Sequence, residues 1–213
     1  MSDFFEPPPP PPEPEREYHP PPWLAPPANV LGSAVPLQLM LARTESVVVA
    51  VVGATAYPTG VELTVSVRRR GKGRTALEEP PFGLHRPLRG QIPDEVLRFG
   101  VQFADGRKAT SLGAFRRPPE EAPANPVLTP HGGGGGGGQW NFSFWLYPLP
   151  PAGPLAFVCE WPSEGIELTR HEIDAELIRE SAGRAEVLWE QEPGAAGRST
   201  HAVSQTTTAS DHA

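Results

Sequence analysis

Hydrophobic residues recur at every second position through most of the stretch from Leu37 to Leu168. A two-residue period puts alternate side chains on opposite faces of an extended chain, so the pattern predicts β-strands with one apolar face. The most regular run is 61–68, with Val61, Leu63, Val65 and Val67 on one face and Glu62, Thr64, Ser66 and Arg68 on the other. Just before it, residues 46–57 (SVVVAVVGATAY) are apolar on both faces, which predicts a strand in the middle of a sheet. Tyr57-Pro58-Thr59-Gly60 joins the two with Pro and Gly where a type I turn takes them, and predicts a hairpin. Residues 35–42 predict the first strand of the fold, with Leu37, Leu39 and Leu41 on one face. Residues 97–103 predict another, with Phe99, Val101 and Phe103 together, an Asp105-Gly106 turn and a return strand over 107–114.

The most apolar stretch is Trp140–Trp161, WNFSFWLYPLPPAGPLAFVCEW. Trp140, Phe142, Phe144 and Leu146 share one face of its first arm. Leu155, Phe157, Cys159 and Trp161 share one face of its second. With a Pro/Gly connection between them, the two arms predict a β-hairpin. Beyond it, Thr169 and Glu172 have the Thr-x-x-Glu spacing of a capping box. Ile173, Leu177 and Ile178 then fall on one helical face, and Gly183 stands at a C-cap position, so a helix is expected over 170–182. Residues 185–190 either extend that helix or form a last short strand bearing Trp189. Many short strands separated by turns, with one late helix, predict a mainly β protein. The expected fold is an antiparallel β-sandwich, immunoglobulin-like or jelly-roll, with one short C-terminal helix.

Composition sets the limits of that domain. Of the 29 prolines in 213 residues, 12 lie in residues 1–27, so the remainder is far less Pro-rich. Consecutive prolines fix φ and lack amide donors, so residues 1–29 are expected to form a polyproline II arm. The domain is expected over 30–190, with structure beginning near Val35. Residues 191–213 are polar and small, and are expected to be disordered. No run reaches the roughly 20 apolar residues of a membrane helix. Asp3, Glu6 and the prolines stand where a secretory signal would be basic and then apolar. A single cysteine excludes an intramolecular disulfide. These features point to a cytoplasmic protein with no membrane contact.

The formal charge of −7 argues against a general nucleic-acid binder. The one strongly basic cluster is Arg68, Arg69, Arg70, Lys72 and Arg74. It reads either as a solvated strand end or as a grip for an acidic partner, and no aromatic residue interleaves it as at a nucleic-acid platform. In the arm, Trp23, Phe4 and Phe5 are candidate partner contacts, since a proline-rich segment can fill an aromatic-lined groove. The plainer reading makes the arm a spacer, with Trp23 and Leu24 tucked onto the body.

Seven glycines, 132–138, contain G-x-G-x-x-G, but no helix follows them, so the dinucleotide fingerprint is unsupported. They read as a flexible hairpin-entry loop, with a loop closing over a ligand as the alternative. Under that alternative His131, Glu160 and His171 are the candidate ligand-binding residues. Glu160 otherwise reads as an exposed carboxylate or an arginine partner. Cys159 shares its face with Leu155, Phe157 and Trp161 and reads as a small core residue, not a nucleophile. His19, His85, His131, His171, His201 and His212 are scattered without metal-ligand spacing, so neither a metal nor another cofactor is expected.

The pieces FFEPPPPPP, PPWLAPP, VVGATAYPTGVELTVSVR, FGVQFADGR and WLYPLPPAGPLAFVCEWP together resemble a family of proteins from GC-rich bacteria to which no activity is assigned. The resemblance implies one coherent domain reaching to about Glu190 and implies nothing about catalysis. The sequence favours a non-enzymatic interaction or accessory domain. The alternatives are a small-ligand binder or hydrolase-like enzyme with its site near 131–139, and a structural subunit of a homo-oligomer.

Overall fold

In the structure, a computed structural model, residues 20–71, 80–83, 90–113 and 121–189 are described. Phe4, Phe5, Lys72, Arg74, His19, His85, His201, His212 and the tail after Trp189 lie outside the described residues. The secondary structure belongs to one unit, Pro21–Gln191. The strands are β1 (Val30–Leu31), β2 (Ser33–Val35), β3 (Leu39–Arg43), β4 (Val47–Tyr57), β5 (Gly60–Arg69), β6 (Arg98–Gln102), β7 (Lys108–Thr110), β8 (Val127–Gly136), β9 (Gln139–Tyr147), β10 (Pro154–Trp161), β11 (Ile166–Asp174) and β12 (Glu186–Val187). The helix α1 covers Glu176–Ala182. Every strand pairing is antiparallel. The protein is mainly β with a sandwich-like arrangement, as the alternation predicts. Among the described residues no helix is long and apolar enough to cross a membrane.

The larger sheet runs β2-β4-β5-β9-β8, with β3 pairing β4 beside β2; the smaller runs β11-β10-β6-β7. β4 is flanked on both sides by paired strands, the mid-sheet position expected for it. Val61, Leu63, Val65 and Val67 on β5 and Phe144 and Leu146 on β9 are fully buried. Facing them from the smaller sheet are Phe99, Val101, Leu155, Phe157, Cys159 and Trp161, all nearly inaccessible. Phe99 meets Phe144 across the layers with ring centroids 5.5 Å apart. Full burial of such a side chain contributes about 1.5–3 kcal/mol, so this interface is a major source of stability. The inward residues of β4 change from Val47, Val49 and Val51 to Ala54 and Ala56 beyond a bulge at Val52. There α1 packs against β4, β2 and β5, and Ile178 is fully buried. Small side chains on the sheet make room for the helix.

Four expectations change. The Trp140–Trp161 stretch is not a hairpin: β9 pairs β5 and β8, whereas β10 pairs β6 and β11. The connection, through a cis Tyr147–Pro148 peptide, carries the chain from one sheet to the other, so both apolar faces point into the same core. The glycine run is not a loop. Gly132–Gly136 form the second half of β8, and Gly137-Gly138, both at positive φ, make the two-residue turn into β9. The helix over 170–182 shrinks to Glu176–Ala182. Thr169 lies in β11 and its hydroxyl donates to the Cys159 carbonyl, so there is no capping box at Thr169. The first strand is two, broken at Pro36–Gln38, and ordered contacts begin before Val35: the Trp145 indole N–H donates to the Pro22 carbonyl at 2.9 Å. Residues 185–190 contribute the short strand β12, which pairs β1.

Candidate functional site: a groove on the outer face of the four-stranded sheet

The outward residues of β7, β6, β10 and β11 lie in cross-strand rows set by register. The central row is Thr110, Gly100, Val158 and Arg170. One neighbouring row carries Lys108, Gln102, Ala156 and Glu172; the other carries Arg98 and Glu160. Alternation that serves the core on one face therefore dictates what the other face displays. At the centre of β6 that outward residue is glycine. A Cβ on Gly100 would stand 2.9 Å from the Ala109 carbonyl and 3.2 Å from the Thr110 methyl, so the strands approach closely there and leave a depression.

The depression is a groove of about 360 Å³. Its floor is Gly100, Thr110 and Val158, and Ile92, Leu112 and Leu168 form apolar walls. Leu168 is 68% exposed, so its side chain is accessible to a molecule lying in the groove. The volume falls at the lower end of the roughly 300–1,000 Å³ typical of small-ligand sites.

Polar groups stand at the two ends. At one, Arg98 donates to Glu160 at 2.6 Å, to the Ile92 carbonyl at 3.2 Å and to Asp94 at 3.4 Å. At the other, Arg170 donates to Glu172 through two nitrogens, at 2.9 and 3.0 Å, and to the Gln102 side-chain oxygen at 2.7 Å. Both arginines are thus committed within the fold. Lys108 lies on the exposed side of β7 at this second end, and among the described residues its ammonium has no partner.

Of the described residues singled out from sequence, only Glu160 lines the groove. His131 is exposed on β8, at the edge of the larger sheet. His171 sits on β11 facing the other layer, with Nε2 2.9 Å from the Leu41 carbonyl. These three do not converge, and residues 131–139 do not line the groove. The basic cluster divides as well. Arg69 is half-buried between layers, 2.6 Å from Glu164 and over the rings of Trp161 and Trp140. Arg68 is exposed and donates to the Trp140 carbonyl and the Asn141 side chain. Arg70 is exposed. Trp23 is half-buried beside the Pro22 segment that covers Trp145.

Cys159 points into the core, where burial first and Glu160 second push its thiol up to about 12. It is protonated at physiological pH and inert as a nucleophile. Among the described residues no three His, Cys, Asp or Glu side chains are grouped to hold a metal. Comparison with protein-family models, curated proteins and solved structures gives no match.

One signal for the groove was present in the sequence. In Phe99-Gly100-Val101-Gln102-Phe103 the outward position holds glycine where the pattern offers a side chain, and an isolated glycine in a strand marks close backbone approach. The walls carry no such signal, because Ile92, Leu112 and Leu168 come from three separate segments.

Proposed function

We propose that this chain is a non-enzymatic binding domain whose groove on the outer face of the four-stranded sheet receives an apolar ligand. The observation that carries this reading is the combination of an apolar floor and walls with charged groups confined to the ends. Burying an apolar ligand against Val158, Leu112 and Leu168 is favourable by roughly 25 cal/mol per Å² removed from water. The guanidiniums at the ends are already spent on Glu160 and Glu172, and the cysteine faces the core, so the groups present favour holding a molecule over transforming it. The basic cluster supports partner contact less than its sequence implies, because Arg69 is consumed by Glu164 and two tryptophans.

The test is titration with a neutral apolar fluorophore, N-phenyl-1-naphthylamine, together with amide chemical-shift mapping. Binding to the wild-type chain is expected to raise the fluorescence and to shift the amides of Gly100, Thr110 and Leu168. Leu168→Arg, at an exposed position, is expected to weaken binding about tenfold with the fold intact. Shifts clustered elsewhere, or equal binding by Leu168→Arg, would overturn the reading.

A further inference from the structure

Resting on the groove reading above, we infer that the ligand is an amphiphilic carboxylate, an aliphatic or aryl body ending in a carboxylate, with its anionic end held by Lys108. Among the described residues the groove is electrically lopsided. At one end Arg98 faces two carboxylates, Glu160 and Asp94, which leaves a formal excess of one negative charge. At the other, Arg170 and Glu172 cancel. Lys108 then adds a positive charge within the groove lining that no carboxylate among the described residues compensates. A carboxylate is drawn to the Lys108 end and repelled from the Asp94–Glu160 end, so the charge pattern sets both ligand class and direction.

Geometry supports the same orientation. The row Lys108–Gln102 is adjacent to the row Thr110–Gly100–Val158 on the paired strands, so a headgroup at Lys108 leaves the body lying over the depression at Gly100. From there it runs toward Leu112, Ile92 and Leu168. An ammonium also suits the task, because its three donors swing on a flexible stem, whereas both guanidiniums are fixed by existing bonds. The stem itself can lie along the apolar floor while the head stays wet.

The experiment compares three twelve-carbon amphiphiles, dodecanoate, dodecanol and dodecylammonium, as competitors of N-phenyl-1-naphthylamine on the full chain, below their aggregation concentrations. The expected order is dodecanoate tightest and dodecylammonium weakest. Lys108→Glu is expected to weaken dodecanoate about tenfold while changing dodecanol less than twofold. Raising the salt from 20 to 500 mM is expected to shrink the advantage of dodecanoate. Lys108→Met keeps the stem and separates charge from packing: it should bring dodecanoate and dodecanol to within about twofold of each other. If dodecanol binds as tightly as dodecanoate to the wild-type chain, the carboxylate assignment is wrong while the apolar groove stands. If none of the three displaces the fluorophore, both fall.

Discussion

The guanidinium of Arg69 lies 4.6 Å from the centroid of the Trp161 ring and, through its Nη2, 2.6 Å from the Glu164 carboxylate. Arg69 ends a strand of the larger sheet and Trp161 ends a strand of the smaller, so the stack pins the two layers together at one end. The side chains of Arg69 and Glu164 are only 14% and 15% exposed, which limits screening. Breaking such a pair strands a charge. Arg69→Ala is expected to lower unfolding free energy in urea by about 2–4 kcal/mol. A double-mutant cycle with Glu164→Gln should give a coupling of about 1 kcal/mol or more. A loss under about 0.5 kcal/mol would mean that the stack does not hold the layers.

The glycines of β8 should respond to alanine in alternation. At Gly133, which has φ 136°, and at Gly135, an added Cβ would press on the backbone of β9. Gly132, Gly134 and Gly136 face open space. Gly134→Ala is expected to stabilise by about 0.4–1 kcal/mol by restricting the unfolded chain, and Gly135→Ala to destabilise by more than that. Thermal melts of the two variants decide it: equal shifts would mean the segment is not in this register.

Stability should fall at alkaline pH through Cys159. The unfolded thiol ionises near 9.0, while the folded one retains its proton to about 12. Between those values the unfolded chain binds fewer protons, so stability declines as pH rises. The contribution is fully present below about pH 9 and is lost at up to about 1.4 kcal/mol per unit above it. Above pH 10 Tyr57 adds to the slope, because burial and then Glu62 raise its hydroxyl. Urea titrations from pH 8 to 10 should show the wild-type slope and a flatter one in Cys159→Ala, whatever the offset between them.

Trp145 faces away from the core, yet it is fully buried. Its indole bonds to the Pro22 carbonyl, and its ring stands edge-on to Tyr57 at 5.6 Å. Trp145→Phe removes the hydrogen bond and should cost about 1 kcal/mol. Trp145→Ala removes the packing too and should cost about 3–5 kcal/mol. Chemical denaturation of both variants separates the two contributions, and a Trp145→Ala cost near 1 kcal/mol would mean the Pro22 segment does not cover that face.

Face assignment was legible in the sequence, but strand partnership was not. Val61 to Val67 and Phe99 to Phe103 declare their inward sides through alternation alone. The same alternation made β9 and β10 look like a hairpin, because a period of two records which way side chains point and not which strand lies alongside. Thr169 and Glu172 fit a capping box and a strand equally well by spacing. The inward set Thr169, His171 and Ile173 on β11 was decided by pairing with Cys159, Phe157 and Leu155. The glycine strand was unreadable for a different reason: glycine has little strand preference of its own, and neighbouring β9 imposes the conformation. The groove escaped because its walls come together only when β6, β7, β10 and β11 are paired.

The crossing from β9 to β10 also bears on how the chain finds its shape. The β4–β5 hairpin closes locally, but β5 must then capture a strand whose Trp140 sits opposite Val67, and β6 must capture one whose Phe157 sits opposite Val101. Neither layer can be completed before the chain has committed segments to both. Such non-local pairing places acquisition of the native state in the slow class of small domains, on the order of milliseconds to seconds. The half-built molecule meanwhile presents unpaired sheet edges and bare aromatic faces, so dilute refolding should succeed where concentrated refolding aggregates.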